Sequence, residues 1–342
     1  MPYKESISPT YWEIKEGAFQ DIENILKVNK FSIDKTVWLV TPSVFKLVPK
    51  NSCGEVIQIS SETQQKTKEV EKARHYLYKE PLSIVISFGG GRVIDTGKLL
   101  AKETSRSFIS VPSILSSDAL ASPIAIIDYD GKRVRVSALP PKIVIVDLDI
   151  IRNAPYTYNL AGVGDLISNL SAVNDWLTAE QKGIEHVNPL AKYLAYNPAL
   201  KLFRFNGKSY KNEFLSILAE DLILSGVSMT VDGTSRPASG SEHNISHALD
   251  KILGTNRKPH GIQVGFATLL TLYLQGQDNL MRRLKEFYKK IGFPVTFSEL
   301  GVSKETFVKA VKLAPAMRDR YTILNVVSKE KIVKAIEEVY GR

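Results

Sequence analysis

The chain of 342 residues has little cysteine and no long hydrophobic run. Cys53 is the only cysteine, which excludes an internal disulfide. It lies in the turn-like segment PKNSCGE with no histidine beside it, so we expect a structural residue and not a nucleophile. No stretch of about 18 uncharged apolar residues is present, and the first residues, MPYKESISPTYWEIKEG, lack the apolar centre of a signal peptide. We therefore expect a cytoplasmic protein without a transmembrane helix.

The chain also lacks a concentrated basic surface, although its net charge is +9. The densest basic clusters are pairs, Arg282-Arg283 and Lys289-Lys290, and they are not interleaved with aromatic residues as in a single-strand-binding surface. An apolar share of 44% and a charged share of 24% are ordinary for a globular protein. We expect no nucleic-acid partner and no stable membrane insertion, and a weak attraction for an anionic substrate.

The order of strand-like and helix-like segments predicts two domains. Short β-branched runs alternate with helix-favouring segments in the first half, a pattern typical of a parallel sheet covered by helices. Beyond about Asn153 only helical periodicity remains. We predict an α/β, Rossmann-like domain over residues 1–153 and an all-α domain over residues 154–342. The predicted strands are 36–40, 55–60, 82–88, 107–111 and 142–146, with a hairpin over 124–127 and 133–136. The predicted helices are 62–79, 96–103, 160–183, 212–226, 261–275, 279–291, 304–311 and 329–340.

Three consecutive glycines, Gly89 to Gly91, follow the strand predicted at 82–88 and lead into a helix. Glycines let backbone N–H groups approach a ligand, and a helix N-terminus adds partial positive charge. The segment departs from the G-x-G-x-x-G fingerprint because Ile94 takes the place of the third glycine, and from the P-loop because Leu99 replaces Ser or Thr. A plain turn is the alternative, but it does not need three glycines. We predict a phosphate or pyrophosphate cradle.

The next predicted strand is followed by a loop rich in hydroxyl groups. Within SVPSILSSDALASP, residues 110–123, five serines accompany Asp118. Ligands of open parallel sheets bind at the carboxyl ends of the strands, where such hydroxyls suit phosphate, ribose or amide groups. A solvated loop is the alternative, and the sequence leaves both open.

Three of the five histidines, His243, His247 and His260, lie in one short window. His243 and His247 are four residues apart, so a helix places them on one face. Asp165 lies near a predicted helix start, where capping is the alternative role. Two histidines and one carboxylate suit a catalytic divalent ion with one position left open. The same donors hold ferrous iron, so the pattern predicts a metal site without choosing the ion.

Five segments together resemble the archaeal sn-glycerol-1-phosphate dehydrogenases: FGGGRVIDTGK, SVPSILSSDALASP, AGVGDLISNLSAVNDW, SGSEHNISHALD and HGIQVGFAT. That family is grouped with glycerol dehydrogenase, iron-containing alcohol dehydrogenases and 3-dehydroquinate synthase. The resemblance implies a dehydroquinate synthase-like fold and a homo-oligomer. It implies NAD(P)H- and metal-dependent reduction of dihydroxyacetone phosphate to sn-glycerol 1-phosphate, the backbone of archaeal membrane phospholipids. Zinc is the implied ion, ahead of ferrous iron or another divalent ion.

The resemblance also implies individual roles. It places the metal ligands at Asp165, His243 and His260, and it makes Asp118 and His247 the catalytic proton relays. Asp118, Asp165 and His247 are the implied substrate contacts. The implied cofactor-binding residues are Gly89, Gly90, Gly91, Arg92, Val93, Asp95, Ser113, Ser116 and Ser122.

Three features bear on cofactor choice and loop geometry. Ala119 stands where the family often has glycine, and Ser113 where it more often has threonine. Both changes keep the implied chemistry possible. The first predicted strand is followed by Thr41-Pro42-Ser43, with no acid for the adenosine ribose. NAD(H) and NADP(H) therefore both stay open.

Rival functions remain at this point. A glycerol or other polyol dehydrogenase of the same fold would share every metal ligand, and a dehydroquinate synthase-like lyase would use NAD only transiently. A nucleic-acid-binding or NTP-binding protein rests only on the charge and on Gly97-Lys98. For the phosphate of the implied substrate, Arg236 and Lys258 are both candidates.

Overall fold

The computed structural model describes residues 8–49, 54–59, 68–80, 82–129, 132–205 and 211–341. Cys53, the predicted hairpin turn at 130–131 and residues 62–67 of a predicted helix lie outside these ranges. The chain divides into two compact units. The first spans Met1–Pro155 and Leu215–Thr230, and the second spans Tyr156–Phe214 and Val231–Arg342. The predicted boundary after residue 153 lies beside the break at Pro155, but the sequence did not anticipate that Leu215–Thr230 groups with the first unit.

A six-stranded sheet forms the centre of the first unit. Its strands are β1 (Tyr11–Lys15), β2 (Thr36–Val40), β3 (Glu55–Gln58), β4 (Ile84–Gly89), β5 (Phe108–Pro112) and β8 (Ile143–Asp147). They lie in the order β1-β8-β5-β4-β2-β3, and every neighbouring pair is parallel, which confirms the predicted α/β class. The strands β2, β4, β5 and β8 are buried along their whole length. Burial on both faces explains their continuous apolar sequences.

The strand β1 was not predicted from the sequence. Its residues YWEIK are only partly buried, and its partner is the distant strand β8, with Tyr11 opposite Ile143. An edge strand of mixed polarity carries a weak local signal, because its pairing is decided far along the chain.

Four α-helices and a hairpin connect or follow these strands within the described part of residues 1–155. The hairpin strands β6 (Ile124–Tyr129) and β7 (Lys132–Ser137) pair antiparallel, as predicted. The helices are α1 (Ile22–Val28), α2 (Lys68–Lys79), α3 (Gly91–Thr104) and α4 (Leu148–Asn153). The helix α3 begins at Gly91, five residues before the predicted start at residue 96, so the last of the three glycines is its first residue. The core on one face of the sheet includes Phe19, whose ring lies 4.3 Å from that of Phe88.

The described part of the chain after β8 contains helices and no strands. They are α5 (Tyr156–Gln181), α6 (Pro189–Phe203), α7 (Asn212–Asp232), α8 (Ser241–Leu253), α9 (His260–Leu274), α10 (Asp278–Ile291), α11 (Phe297–Leu300), α12 (Lys304–Leu313) and α13 (Lys329–Tyr340). The predicted all-helical second half is confirmed. Helix α6 was missed because Pro198 lies inside it, and proline normally argues against a helix interior.

One helix, α7, is long and apolar enough to cross a membrane by length and composition alone. However, 67% of its most apolar window is buried inside the fold, as in the core helix of a globular protein. Leu215 to Thr230 of this helix belong to the first unit.

Candidate active site

The glycine segment joins the end of β4 to the start of α3. Gly90 caps the helix in an extended conformation, and none of Gly89, Gly90 and Gly91 has a positive φ. The glycines therefore serve close approach and not an unusual backbone conformation. A Cβ at Gly89 would lie 2.8 Å from Thr41 Cγ2, whereas a Cβ at Gly91 would meet nothing within 4 Å. The protein thus leaves open space beside the first turn of α3. The N–H groups of Gly91 and Arg92 there precede the first hydrogen bonds of the helix, which Val93 and Ile94 donate to Gly90 O.

The residues that follow on α3 differ in what they offer a ligand. Arg92 is exposed, whereas the side chain of Val93 is buried. The carboxylate of Asp95 is also buried, and it accepts a hydrogen bond of 3.0 Å from the backbone N–H of Ile126. Asp95 therefore ties α3 to the hairpin. The backbone of Val93 is already hydrogen-bonded, since its N–H donates to Gly90 O at 3.0 Å and its C=O accepts from Ser87 Oγ at 2.9 Å, so a cofactor contact by Val93 would compete with these bonds.

The loop of residues 110–123 contacts a buried lysine, Lys98, that sequence analysis did not assign to the site. Lys98 Nζ donates hydrogen bonds to Ile124 O at 2.8 Å and Ser122 Oγ at 3.2 Å, and it lies 3.4 Å from Asp95 Oδ1. Burial lowers the pKa of Lys98, and the Asp95 carboxylate partly offsets this effect. Ser122 is buried and Ser116 is half-buried. The hydrogen bond between Lys98 and Ser122 thus joins this loop to helix α3.

Asp118, the loop acid, has a helix partner within the first unit. Ser225 Oγ donates a hydrogen bond of 3.0 Å to Asp118 Oδ2. Next to it, a Cβ at Gly226 would lie 2.7 Å from Ser122 N, so only glycine permits this approach of α7 to the loop. Desolvation raises the pKa of Asp118, while Ser225 and the Lys98 charge partly offset it. The carboxyl is therefore poised to hold a proton more readily than an exposed aspartate.

In the second unit, the three residues of the predicted metal site come together. Asp165 Oδ1 lies 3.8 Å from His243 Nε2 and 3.7 Å from His260 Nε2. The three ligand atoms all lie within 4.8 Å of one another. Ligands about 2.1 Å from a tetrahedral ion lie about 3.4 Å apart. The observed spacing is slightly wider, and the donor set of two imidazoles and one carboxylate fits a divalent ion.

Glycines on α5 and α9 allow these side chains to meet. A Cβ at Gly261 would lie 1.8 Å from Ala161 O, and a Cβ at Gly164 would lie 2.1 Å from Gly261 O. A Cβ added at a third glycine, Gly265, would lie 2.6 Å from the Cα of Gly164. The two helix backbones are therefore in direct contact beside Asp165. The pattern G-x-G-D on one helix and H-G on the other builds the site through this contact.

Hydrogen bonds behind the cluster orient both imidazoles. His243 Nδ1 lies 2.9 Å from Glu242 Oε1, and His260 Nδ1 lies 3.2 Å from Ser246 Oγ. The buried Glu242 also accepts a hydrogen bond of 2.7 Å from Ser171 Oγ on α5. Burial raises the pKa of Glu242. A ring Nδ1–H that donates to a carboxylate leaves the Nε2 lone pair for the ion, as is usual for metal-binding histidines.

Asp175 lies about three helical turns beyond Asp165 on α5 and accepts hydrogen bonds from neighbouring segments. Its Oδ2 accepts hydrogen bonds of 2.7 and 2.6 Å from the N–H and hydroxyl of Ser241, the first residue of α8. Its Oδ1 accepts 2.9 Å and 2.8 Å hydrogen bonds from Gln275 Nε2 and from the N–H of Ile323. Burial, and then the Glu242 carboxylate, raise the pKa of Asp175 to about 6. One buried acid therefore fixes both α8 and the segment after α12.

His247 lies one turn beyond His243 on α8, and its ring stacks on His260 with 6.1 Å between centroids. Its Nε2 contacts a guanidinium N–H of Arg318, a residue that sequence analysis did not single out. Arginine always donates, so His247 Nε2 is the acceptor and carries no proton. The predicted role of His247 as proton relay stays a prediction, with Nδ1 as its only protonated ring nitrogen.

Sequence analysis also missed Glu242 and Asp175. Both lie within the quoted segments, directly before His243 and in NDW, but neither has the spacing of a ligand. An acid next to a metal-binding histidine is the one local signal that was available for Glu242. For Asp175 the decisive partners, Gln275 and Ile323, are distant in sequence.

The chain is similar to known dehydrogenases. An iron-containing alcohol dehydrogenase family matches residues 13–155. Glycerol-1-phosphate dehydrogenase [NAD(P)+] of Thermococcus kodakarensis is 40% identical over 279 residues, which are 80% of this chain and 78% of the relative. The same enzyme of Pyrococcus horikoshii is 33% identical over 334 residues, 94% of each chain.

Solved structures agree on the fold. A probable glycerol dehydrogenase from Sinorhizobium meliloti superposes with a TM-score of 0.77 at 20% identity, covering 97% of both chains. Glycerol dehydrogenase from Schizosaccharomyces pombe superposes with a TM-score of 0.73 at 21% identity, covering 97% of this chain and 89% of the other. At such identities the likeness shows a shared fold. The sequence relatives go further, since identity persists along nearly the whole length: the chain belongs to the glycerol-1-phosphate dehydrogenase family.

Proposed function

We propose that this protein reduces dihydroxyacetone phosphate to sn-glycerol 1-phosphate with NAD(P)H and a divalent metal ion. The observation that carries the proposal is the cluster of Asp165, His243 and His260, in a chain that matches glycerol-1-phosphate dehydrogenases over up to 94% of its length. Reduction adds a hydride to the carbonyl carbon and a proton to its oxygen, while NAD(P)H becomes NAD(P)+. The sn-1 stereochemistry follows from the family alone.

The cofactor is assigned to the first unit. The space beside Gly91, which a Cβ would begin to fill, and the N–H groups of the first turn of α3 suit a pyrophosphate. Ser113, Ser116 and Ser122, in the loop after β5, are assigned to the nicotinamide half. The segment after β2 offers the hydroxyls of Thr41 and Ser43, 3.2 Å apart, and no carboxylate for the adenosine ribose. We therefore propose that both NADH and NADPH are accepted.

The metal is assigned to Asp165, His243 and His260, and we propose zinc because its usual ligands are imidazole and carboxylate. An ion held there would supply Lewis-acid polarisation of the substrate carbonyl. The chain's own residues do the rest. Glu242 and Ser246 fix the two imidazoles through Nδ1, so that both Nε2 atoms face the Asp165 carboxylate. This order reduces the entropy that binding would otherwise cost.

Proton supply is assigned to Asp118. Its raised pKa increases the fraction of the protonated form near neutral pH, and Ser225 holds the carboxyl by one oxygen. General acids gain from a pKa close to the working pH. We propose that Asp118 and His247 both contact the substrate and are the candidate proton relays. We further propose a homo-oligomeric, cytoplasmic enzyme that supplies the backbone of membrane phospholipids.

The test is NADH and NADPH oxidation with dihydroxyacetone phosphate, before and after chelation and after zinc is restored. The product is then offered to an enzyme that accepts only the 3-phosphate isomer. We expect metal-dependent turnover, and a product that this enzyme ignores. Turnover of unphosphorylated glycerol or dihydroxyacetone alone would replace the proposal with a polyol dehydrogenase. Substrate conversion without net nicotinamide oxidation would replace it with a lyase.

A further inference from the structure

Two arginines converge on one serine beside the predicted metal site. Arg318 Nη1 donates a hydrogen bond of 2.7 Å to Ser239 Oγ. Arg320 donates to the carbonyl oxygen of the same Ser239 and, at 3.0 Å, to Ser235 Oγ. Ser239 is buried, whereas both arginines are only partly buried. Both guanidinium groups therefore lie at Ser239, and their positive charges attract an anion, although the Asp232 carboxylate already offsets part of the charge of Arg320.

The position of Arg318 links this pair to the chemistry. Its Nη2 contacts His247 Nε2, and the His247 ring stacks on that of His260, a predicted metal ligand. One side chain therefore separates the guanidinium from the His260 ring. In dihydroxyacetone phosphate the carbonyl carbon is separated from the phosphate by one methylene group and one ester oxygen. A substrate whose carbonyl reacts beside His260 needs its anion partner at this short range.

Arg318 is also held in place before any ligand arrives. It lies between α12 and the short helical turn Ile323–Asn325. Thr322 and Asn325 form a capping box at this turn. The N–H of Ile323 donates a hydrogen bond to the buried carboxylate of Asp175. Such preorganisation lowers the entropy cost of binding. A guanidinium presents its N–H donors in a planar fork that matches phosphate oxygens, and the contacts with Ser239 and His247 fix the plane of the Arg318 group.

The cation suggested by sequence close to this segment has another role. Arg236 is buried, and its Nε donates at 2.6 Å to Glu185 Oε2, while its Nη2 donates at 2.5 Å to Tyr321 O. Arg236 therefore neutralises Glu185, and its hydrogen bond to Tyr321 O fixes the segment that carries Arg318 and Arg320. Lys258, the other suggestion, has its ammonium near Gly301, where a Cβ would lie 2.9 Å from Nζ.

The geometry points to Arg318 as the residue that binds the substrate phosphate, with Ser239 and His247 orienting it and Arg320 adding charge and holding Ser239. This inference rests on the proposed function, since it names the group that distinguishes a phosphate ester from a simple polyol. It adds a specificity-determining residue outside the implied set of metal and cofactor contacts.

The kinetic test compares dihydroxyacetone phosphate with unphosphorylated dihydroxyacetone in the wild type, Arg318→Met and Arg318→Lys. We expect Arg318→Met to lower kcat/KM for the phosphate ester by about 100-fold or more, chiefly through KM, because a charge-assisted fork is lost. The loss on unphosphorylated dihydroxyacetone should be much smaller, so that the ratio of the two kcat/KM values falls by at least about 10-fold in Arg318→Met. Arg318→Lys should fall between, since it keeps the charge without the fork. The surface variant Arg282→Met controls for net charge and should match the wild type.

A binding readout separates this inference from the proposed function. We expect inorganic phosphate to raise the Tm of the zinc-loaded wild type and to inhibit competitively, and to do neither with Arg318→Met. If the wild type prefers the phosphate ester and Arg318→Met keeps that preference, or if Lys258→Met loses it instead, the inference is wrong and the function stands. If the wild type does not prefer the phosphate ester, the proposed function fails, and Arg318-dependent protection by phosphate would then still support an anion site.

Discussion

Gly164 and Gly261 form a backbone contact that places two predicted metal ligands beside each other. A Cβ at Gly164 would lie 2.1 Å from the carbonyl oxygen of Gly261, and these residues directly adjoin Asp165 and His260. The distance from Asp165 Oδ1 to His260 Nε2, 3.7 Å, depends on the closeness of α5 and α9. A methyl group at this contact would act on the fold and on the site together.

We therefore predict that Gly261→Ala lowers the free energy of unfolding by about 3 kcal/mol or more, because its Cβ would meet Ala161 O at 1.8 Å and backbone cannot yield as a side chain can. Urea unfolding measures the loss, and zinc titration of the folded protein should show weaker binding. Ala267→Gly, on the same helix but without added volume, controls for a generally weakened α9 and should keep its zinc affinity. A Gly261→Ala protein with wild-type zinc affinity would contradict the role given to this contact.

The sequence was sufficient for the fold class, because buried parallel strands give long apolar runs. For the predicted metal site, the sequence alone showed three histidines in one short window, and the family resemblance selected Asp165, His243 and His260, which the structure brings together. The sequence was insufficient where a role depends on a distant partner. Asp175 resembles an ordinary helix residue until Ile323 is placed against it. Arg318 resembles a surface residue of the segment MRDRY until it meets Ser239 and His247.

The glycines show the same limit. Gly89 to Gly91 were expected to let backbone N–H groups approach a ligand, and none of them has a positive φ. Their use is spatial, since Gly89 is packed against Thr41 while Gly91 faces open space. Pattern reasoning sees three glycines and cannot tell which one fits against protein and which one faces a ligand, because that depends on the neighbouring strand and loop.

We predict that Gly91→Ala folds normally and binds NADH and NADPH at least about 10-fold more weakly. The added Cβ meets no protein atom within 4 Å, so stability should stay the same or rise by up to about 1 kcal/mol. Fluorescence titration with both nucleotides gives the affinity, and thermal unfolding gives the stability. Gly97→Ala, on the same helix, is the contrasting variant. Its Cβ would lie 2.0 Å from Ser87 Oγ, so the same substitution should destabilise the fold there. Unchanged nucleotide affinity in Gly91→Ala would move the pyrophosphate elsewhere.

We predict that Glu242→Gln weakens zinc binding by about 10- to 100-fold, as is typical when the partner of a metal-binding histidine is changed. The amide keeps nearly the shape of Glu242 but holds the His243 Nδ1–H with a neutral acceptor in place of a charged one. Competition with a chromophoric chelator measures the affinity. Glu286→Gln, on the exposed face of α10, should bind zinc like the wild type. Equal zinc affinities in the two variants would mean that Glu242 serves packing and not the histidine.

Asp175 gives a pH-dependent prediction. Its pKa rises from 3.8 to about 6 because burial and Glu242 disfavour the ionised form. Between about pH 4 and pH 6 the folded state therefore keeps a proton that the unfolded state has released, so stability falls as the pH rises through this window and levels off above it. A pKa rise of this size corresponds to about 3 kcal/mol. Asp175→Asn cannot titrate at this position. The free energy of unfolding of the wild type should therefore fall relative to that of the variant between about pH 4 and pH 6, whichever protein is the more stable at a single pH.

Urea unfolding of both proteins at half-unit steps from pH 4 to 7.5, with chelator present, tests this prediction. The chelator is needed because proton release on metal binding would add its own pH dependence. Asp34→Asn, at an exposed position, should run parallel to the wild type over the whole range. If Asp175→Asn also runs parallel to the wild type, Asp175 does not keep a proton in the folded state over this pH range. The four hydrogen bonds to Asp175 would then be strong enough to keep the carboxylate ionised despite its burial.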